Sequence, residues 1–367
     1  MNCRPLLILF FTGLCCFSQK AEEVPGRYNI DLNPYYGSII LHNPDISHLI
    51  NAHPAGFILG FNKKTFGQKE WERDFKYPDT GFSLIYQDFK NNILGQNLSI
   101  YAHYSFYFFK RRLQFRMGQG IAFNTNPYDK DDNFRNNAFG SHFLSSTYLM
   151  FNYHKEYITK RLGFKAGISI IHYSNANVKA PNTSTNTFAL NAGLVYNLDD
   201  NEPIPYIVKN DGDALKEPIR LNLVFRTGIN ESDVINSGQY PFYIFSGYLD
   251  KRLGRKSAIQ LGTDAYFSNF LKELIRFQSI SFPELDVNEN DDYKRVGLFV
   301  GHELFVNKIS VVTQLGYYIY YPFDFEGQVY NRVGLKRYFG EKWFAAVTLK
   351  SHGAKAEAVE FGVGIRL

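Results

Sequence analysis

Leu162-Gly-Phe-Lys-Ala-Gly-Ile-Ser-Ile-Ile-His-Tyr-Ser174 is a stretch in which apolar side chains alternate with small, polar or charged ones. Side chains on a β-strand point alternately to opposite faces, so this pattern predicts a strand with one apolar face and one mixed face. The same two faces recur in Asn186–Tyr196 and in Val359–Leu367. These segments indicate an all-β protein.

Further alternating segments fill the chain between Gly56 and Ser351, and a first strand is expected near Tyr35–Leu41. Together they predict one transmembrane antiparallel β-barrel of about 14 strands, within a range of roughly 12–16. The apolar parity would face lipid and the mixed parity would face a polar lumen. A soluble barrel would reverse the two faces, with the mixed face outside.

Composition supports the membrane barrel. Aromatic residues make up 17% of the chain, with 34 Phe and 26 Tyr. After the N-terminal segment, no apolar run is long enough for a membrane-spanning helix. We therefore expect a protein of the outer membrane of a Gram-negative cell.

The N-terminal segment 1–19 is expected to be a secretory signal peptide, with Arg4 before the apolar run Leu6–Phe17. A lipoprotein signal at Cys15 is the competing interpretation. All 3 cysteines lie in this segment, so the mature chain 20–367 has neither disulfides nor thiolate metal sites. The net charge of +5 is small for 367 residues, and it indicates no nucleic-acid partner.

Connection lengths give a topology. Short turns such as Lys110–Arg112 and Thr159–Arg161 alternate with long loops such as Asn124–Ser141. Short turns of outer-membrane barrels lie in the periplasm. The polar segment 199–218 breaks this rule, because it is long but falls on the periplasmic side. Its role stays open between a plug, an insert and an error in the strand count.

Three polar residues share the apolar parity at one end of two adjacent strands. His172 and Ser174 lie on one face, and Asn186 shares parity with Phe188 and Leu190. They predict a serine nucleophile with a histidine base and an orienting asparagine, facing the outer leaflet. Asn175 and Asn182, in the connecting loop, are candidates for holding an oxyanion.

His172-Tyr-Ser-Asn-Ala, followed by Pro181-Asn182 and a polar residue at 186, resembles the outer-membrane lipid A 3-O-deacylase (PagL-like, acyloxyacyl hydrolase) family. The resemblance implies that His172 is the general base, that Ser174 is the nucleophile, and that Asn175 and Asn182 form the oxyanion region. It implies hydrolysis of an ester-linked acyl chain of lipid A. The histidine spacings match no standard metal motif, and we expect no cofactor and no metal. The family has a glutamate at the position of Asn186, and its minimal members have eight strands.

Two alternatives stay open. Outer-membrane phospholipase A resembles this chain in using histidine, serine and asparagine at the same spacing, although its calcium-associated arginine is replaced here by Asn177. A non-enzymatic porin-like barrel is the other, since about 14 strands would enclose a lumen. The sequence also leaves the oligomeric state open, and a homo-oligomer is possible.

Overall fold

The computed structural model of the chain describes residues 27–199, 205–208, 217–353 and 355–367. The expected signal peptide, 1–19, lies outside the described residues. The first eight strands are β1 (Tyr28–Ile39), β2 (Ala55–Lys63), β3 (Asp79–Asp88), β4 (Gln96–Phe108), β5 (Leu113–Asn124), β6 (Phe143–Lys155), β7 (Leu162–Ser174) and β8 (Thr185–Asn197). The other eight are β9 (Arg220–Asn230), β10 (Tyr240–Arg252), β11 (Ser257–Ser268), β12 (Lys294–Val306), β13 (Ile309–Tyr320), β14 (Val329–Phe339), β15 (Trp343–His352) and β16 (Lys355–Arg366).

The strands close into two antiparallel barrels rather than one. Strands β1–β8 form the first barrel and β9–β16 form the second. The first closes where β1 pairs with β8, and the second closes where β9 pairs with β16. The prediction of a single barrel of about 14 strands was therefore wrong, although the all-β, antiparallel fold was right. Each strand's alternation reports only which face a residue takes, and closure depends on pairs far apart in the chain.

The segment 199–218 connects the two barrels. It follows β8 and precedes β9, so the break in the loop-length rule marks the boundary between barrels. In its described part, the Tyr206 ring lies 5.5 Å from that of Phe66 and 4.5 Å from that of Tyr77. Glu217 forms an ion pair with Arg366 of β16 at 3.0 Å. The described parts of this segment thus contact both barrels.

In both barrels, as expected, apolar side chains point outward and polar or charged side chains point inward. Outward positions of successive strands are apolar and exposed, as in Leu190 and Leu194 of β8. Inward positions hold buried polar and charged groups. In the first barrel, Asp31 forms ion pairs with Arg116 at 2.7 Å and with Lys165 at 2.8 Å.

The second barrel encloses a larger set of charges. Arg332 pairs with Glu360 at 2.6 Å and with Asp264 at 2.9 Å, all three with no exposed side-chain surface. Near the start of β16, Glu357 pairs with Arg295 and Lys350, each at 2.5 Å. Eight-stranded barrels have an interior just wide enough for side chains to fill. Both interiors are therefore packed with side chains.

Glycines make room for inward tyrosines in both barrels. Gly118 of β5 is opposite Tyr148 of β6, and a Cβ atom at 118 would lie 2.2 Å from the tyrosine ring. Gly316 of β13 is opposite Tyr330 of β14, where a Cβ atom would lie 2.1 Å from the ring. A side chain at either glycine would displace a ring that fills the interior.

The barrels contact each other at both ends. We call one end of the barrels the loop end, because it carries the loops 40–54, 89–95, 125–142, 175–184 and 231–239. The opposite end, which we call the turn end, carries short turns such as 109–112 and 253–256. The short helix α1 (Glu70–Asp74) lies at the turn end, and the helix α2 (Asn269–Ser281) lies at the loop end. At the turn end, Glu70 pairs with Arg255 at 3.0 Å. Among the described residues, no helix is long and apolar enough to cross a membrane.

Candidate active site

His172 and Asn186 form a cross-strand pair on the outer face of the first barrel. They are direct partners in the register of β7 and β8. Nδ1 of His172 lies 2.7 Å from Oδ1 of Asn186. Because an amide oxygen only accepts, Nδ1 carries the proton and Nε2 keeps a lone pair. The pair therefore fixes the imidazole in the tautomer that a general base needs.

Ser174 follows two residues later on the same face, at the last position of β7. Its hydroxyl donates to Oδ1 of Asn182 at 3.0 Å and accepts from the backbone N–H of Ala176 at 2.9 Å. The sequence hypothesis requires a hydrogen bond from Ser174 to His172, and here each residue is held by an asparagine instead. Two residues along a strand span about 6.6 Å, a gap that the imidazole and a rotated hydroxyl can bridge. Catalytic hydrogen bonds often form only once substrate is bound.

Asn182 lies in the loop between β7 and β8 and bonds to both residues at the start of that loop. Its Oδ1 accepts from the Ser174 hydroxyl and from the backbone N–H of Asn175 at 2.9 Å. Both contacts use the oxygen, so the Nδ2 group is the remaining donor of this side chain. That donor lies next to Ser174, the predicted nucleophile.

The polar atoms of the Asn175 side chain are bonded within the loop that this residue begins. Its Nδ2 donates to the backbone carbonyl of Lys179 at 2.5 Å, and its Oδ1 accepts from the N–H of Asn177 at 3.0 Å. The next two residues, Ala176 and Asn177, have positive φ angles of 55° and 64°. The Asn175 side chain thus braces a tightly wound loop through both of its polar atoms.

Two residues of β6 were missed by sequence reasoning. Thr147 is the register partner of His172, and Ser145 is the partner of Ser174. Gln119 of β5 extends this row of polar side chains across a third strand, since its amide donates to Ser145 and accepts from Thr147. The outward parity of β6 could have identified Ser145 and Thr147, but the pairing of β6 with β7 was needed to bring them to the site.

The surface around this polar row is apolar. Exposed side chains flank it on every strand of this side of the barrel; they include Phe143, Leu149, Ile168, Ile170, Phe188 and Leu190. Leu190 is 66% exposed and Phe143 is 70% exposed, values that a soluble protein avoids for large apolar side chains in a contiguous patch. The polar group therefore lies at the edge of a surface that suits an acyl chain.

Other candidates lie elsewhere. Glu357 lies inside the second barrel, where it pairs with Arg295, because a register shift near Lys350 turns its side chain inward. His142 stacks on Phe123 with 5.2 Å between ring centroids, and its Nδ1 contacts the carbonyl of Asn124. Among the described residues, no group of three or more His, Cys, Asp or Glu side chains is arranged to hold a metal ion.

The fold and site together define an all-β protein with two barrels, the first of which carries a paired histidine and asparagine near a serine. Residues 55–195 match the family model for lipid A 3-O-deacylase (PagL), and residues 219–367 match the model for the acyloxyacyl hydrolase C-terminal domain. The chain belongs to the PagL family of acyloxyacyl hydrolases, as its motif suggested. The family implies an outer-membrane ester hydrolase acting on lipid A.

No curated protein matches the chain by sequence. Among solved structures, a double mutant of Rh. blastica porin is 9% identical, with 93% of this chain and 99% of that chain covered at a TM-score of 0.19. Acinetobacter baumannii OccAB3 is 10% identical, with coverage of 93% and 98% at a TM-score of 0.20.

Proposed function

We propose that the chain removes an ester-linked acyl chain from lipid A, using Ser174 and His172 on the outer surface of the first barrel. The observation that carries the proposal is the 2.7 Å contact between His172 and Asn186, which lies half-buried beside the buried Ser174, at the edge of an exposed apolar surface. A polar group is costly on such a face unless it has a function there. A membrane lipid with its ester carbonyl just below the headgroup would bring that carbonyl to Ser174.

Each residue has a role in the first half of the reaction. The Ser174 hydroxyl turns from Asn182 to Nε2 of His172, which takes its proton as Oγ attacks the ester carbonyl. This movement frees Asn182, whose Nδ2 can donate to the oxyanion. His172 then gives the proton to the leaving sugar alkoxide, and the acyl group stays on Ser174.

The second half regenerates the serine. Water attacks the acyl ester on Ser174 while His172 takes the water proton. The collapse of the second tetrahedral intermediate returns that proton to Oγ and releases the fatty acid. Asn186 holds the imidazole through both halves, and it offers a dipole rather than a negative charge to the imidazolium.

A phospholipid is the second candidate substrate. The asparagine at 186 is the specific observation that favours it, because the phospholipase A resemblance carries asparagine in this role and the PagL resemblance carries glutamate. Both candidates are lipid esters, and both would use the same residues. The porin-like alternative has less support, since buried side chains fill the interiors of both barrels in the described part of the chain.

Mass spectrometry of lipids from Gram-negative cells tests the proposal. Cells that express the chain should contain lipid A lacking one ester-linked acyl chain, and cells that express Ser174→Ala should not. Loss of acyl chains from phospholipids alone would assign the protein to the second candidate. Unchanged lipid A and phospholipids in cells with correctly inserted wild-type protein would overturn the hydrolase proposal.

A further inference from the structure

The second barrel contacts the loop that carries the candidate oxyanion residues of the first. Glu231, the residue after β9, lies at the loop end and is 3% exposed. Its Oε2 accepts from the backbone N–H of Ala180 at 2.9 Å. Its own backbone N–H donates to the carbonyl of Asn177 at 3.1 Å, and its carbonyl accepts from the Asn177 side chain at 3.2 Å.

A neighbouring residue of the second barrel extends this contact. Gln239, just before β10, donates from Nε2 to the carbonyl of Val178 at 2.7 Å. The second carboxylate oxygen of Glu231 accepts from the N–H of Gly238 at 3.2 Å, which fixes the side chain within its own loop. Residues 177–180 of the first barrel are thus fastened to loop 231–239 of the second.

Residues 177–180, which bond to the second barrel, belong to the loop that contacts Ser174. Asn175 and Asn182 bracket it, and the Asn175 side chain bonds to Lys179 within it. Ala176 and Asn177 are both in the left-handed region, which is strained for an alanine and persists only where surrounding contacts hold it. The described contacts of the Glu231 carboxylate are to backbone N–H groups, the kind of contact that fixes a loop conformation.

We propose that Glu231 is a positioning residue, through which the second barrel holds the loop of Asn175 and Asn182 in the geometry that the Ser174 reaction needs. This inference rests on the proposed hydrolase function and assigns the second barrel a part in it. Glu231 touches neither substrate nor reacting atoms, and it acts through the backbone of Ala180 and Asn177.

Kinetics on the full-length protein in detergent test the proposal, with Ser174-dependent ester hydrolysis as the assay. Glu231→Ala should lower kcat by roughly tenfold to a hundredfold with little change in KM, the size of effect expected when a catalytic group is misplaced by about an ångström. Glu231→Gln, which keeps one acceptor oxygen, should recover part of the loss. Arg255→Gln removes the ion pair between the barrels at the turn end, far from the site, and should leave kcat unchanged.

Hydrogen exchange supplies a readout that does not depend on activity. Backbone amides of residues 175–184 should exchange about tenfold faster in Glu231→Ala than in the wild type, and at the wild-type rate in Arg255→Gln. Unchanged exchange together with unchanged kcat in Glu231→Ala would overturn the inference, as would equal losses in both variants. If the wild type hydrolyses no lipid ester, the proposed function fails, and exchange alone then decides whether Glu231 holds the loop.

Discussion

His172 and Asn186 face each other across β7 and β8, with Nδ1 of the imidazole 2.7 Å from the amide oxygen. The imidazole is therefore oriented by a neutral partner. A neutral amide holds the tautomer, but it stabilises the imidazolium of the transition state less than a carboxylate would. The identity of residue 186 should thus set the rate without being needed for the chemistry.

Asn186→Glu should raise kcat. Hydrogen bonds to charged groups exceed neutral ones by about 1 kcal/mol, which corresponds to roughly fivefold in rate. Asn186→Leu should lower kcat by about tenfold or more, because the imidazole loses its orientation. The measurement is kcat for the same ester substrate in all three proteins. A rate for Asn186→Leu equal to the wild type would show that the cross-strand contact has no part in the reaction.

Asn182→Asp separates two roles of one side chain. Aspartate keeps oxygens that accept from Ser174 and Asn175, but it has no Nδ2 group to donate to an oxyanion. We expect kcat to fall by about a hundredfold to a thousandfold, the usual loss for one oxyanion donor, with KM nearly unchanged.

The control for that variant is Asn236→Asp, which adds the same charge at an exposed position of the second barrel at the loop end. It should hydrolyse the substrate at the wild-type rate. If both variants lose activity alike, the effect comes from added negative charge at the loop end rather than from the oxyanion donor.

Much of this architecture could be predicted from the sequence, because alternation is a local property. The bounds predicted for the strand Leu162–Ser174 agree with those of β7. The closure of two barrels could not be read in the same way. It depends on pairs such as Tyr36 with Leu190, which are distant in the chain.

The same distinction holds within the site. His172 and Asn186 lie on adjacent strands that a short loop connects, so parity and spacing were enough to predict that the two side chains would meet. The contact of Glu231 with Ala180 joins two barrels and spans 51 positions, and no periodicity reports it. The rotamer of Ser174 was also beyond the sequence, since it depends on which of two polar partners lies closer.

Removing one buried charge from the second barrel should destabilise it strongly. Arg332 is paired with Glu360 and Asp264, and all three are fully buried. Arg332→Met leaves two carboxylates with less compensation, and removal of one partner from a buried pair costs about 3–5 kcal/mol. The free energy of unfolding in urea, measured on refolded protein in detergent, should fall by that amount.

Lys355→Met is the matched control for this loss of a cation. Lys355 pairs with Asp233 and Glu326 at the exposed loop end, where such pairs contribute at most about 1 kcal/mol. Its unfolding free energy should stay within that margin. An Arg332→Met protein as stable as Lys355→Met would mean that the interior is hydrated enough to solvate the two carboxylates.

Gly118→Ala tests the packing of the first barrel. The new methyl group would lie 2.2 Å from the ring of Tyr148, whose hydroxyl bonds to Ser83 at 2.6 Å. Overpacking of this kind costs about 1–3 kcal/mol, because the ring must leave its position and weaken that hydrogen bond. Gly254→Ala, with no atom within 4 Å of the added Cβ, should change the unfolding free energy by less than about 0.5 kcal/mol.

A double variant shows whether the clash is the cause. Replacing Tyr148 with Leu removes the ring, so Gly118→Ala in that background should cost less than about 0.5 kcal/mol, and the two changes should be strongly non-additive. If Gly118→Ala costs the same with leucine at 148, the glycine is needed for its backbone rather than for the ring. Gly316 and Tyr330 repeat the arrangement in the second barrel, so the same cycle there should give the same sign of coupling.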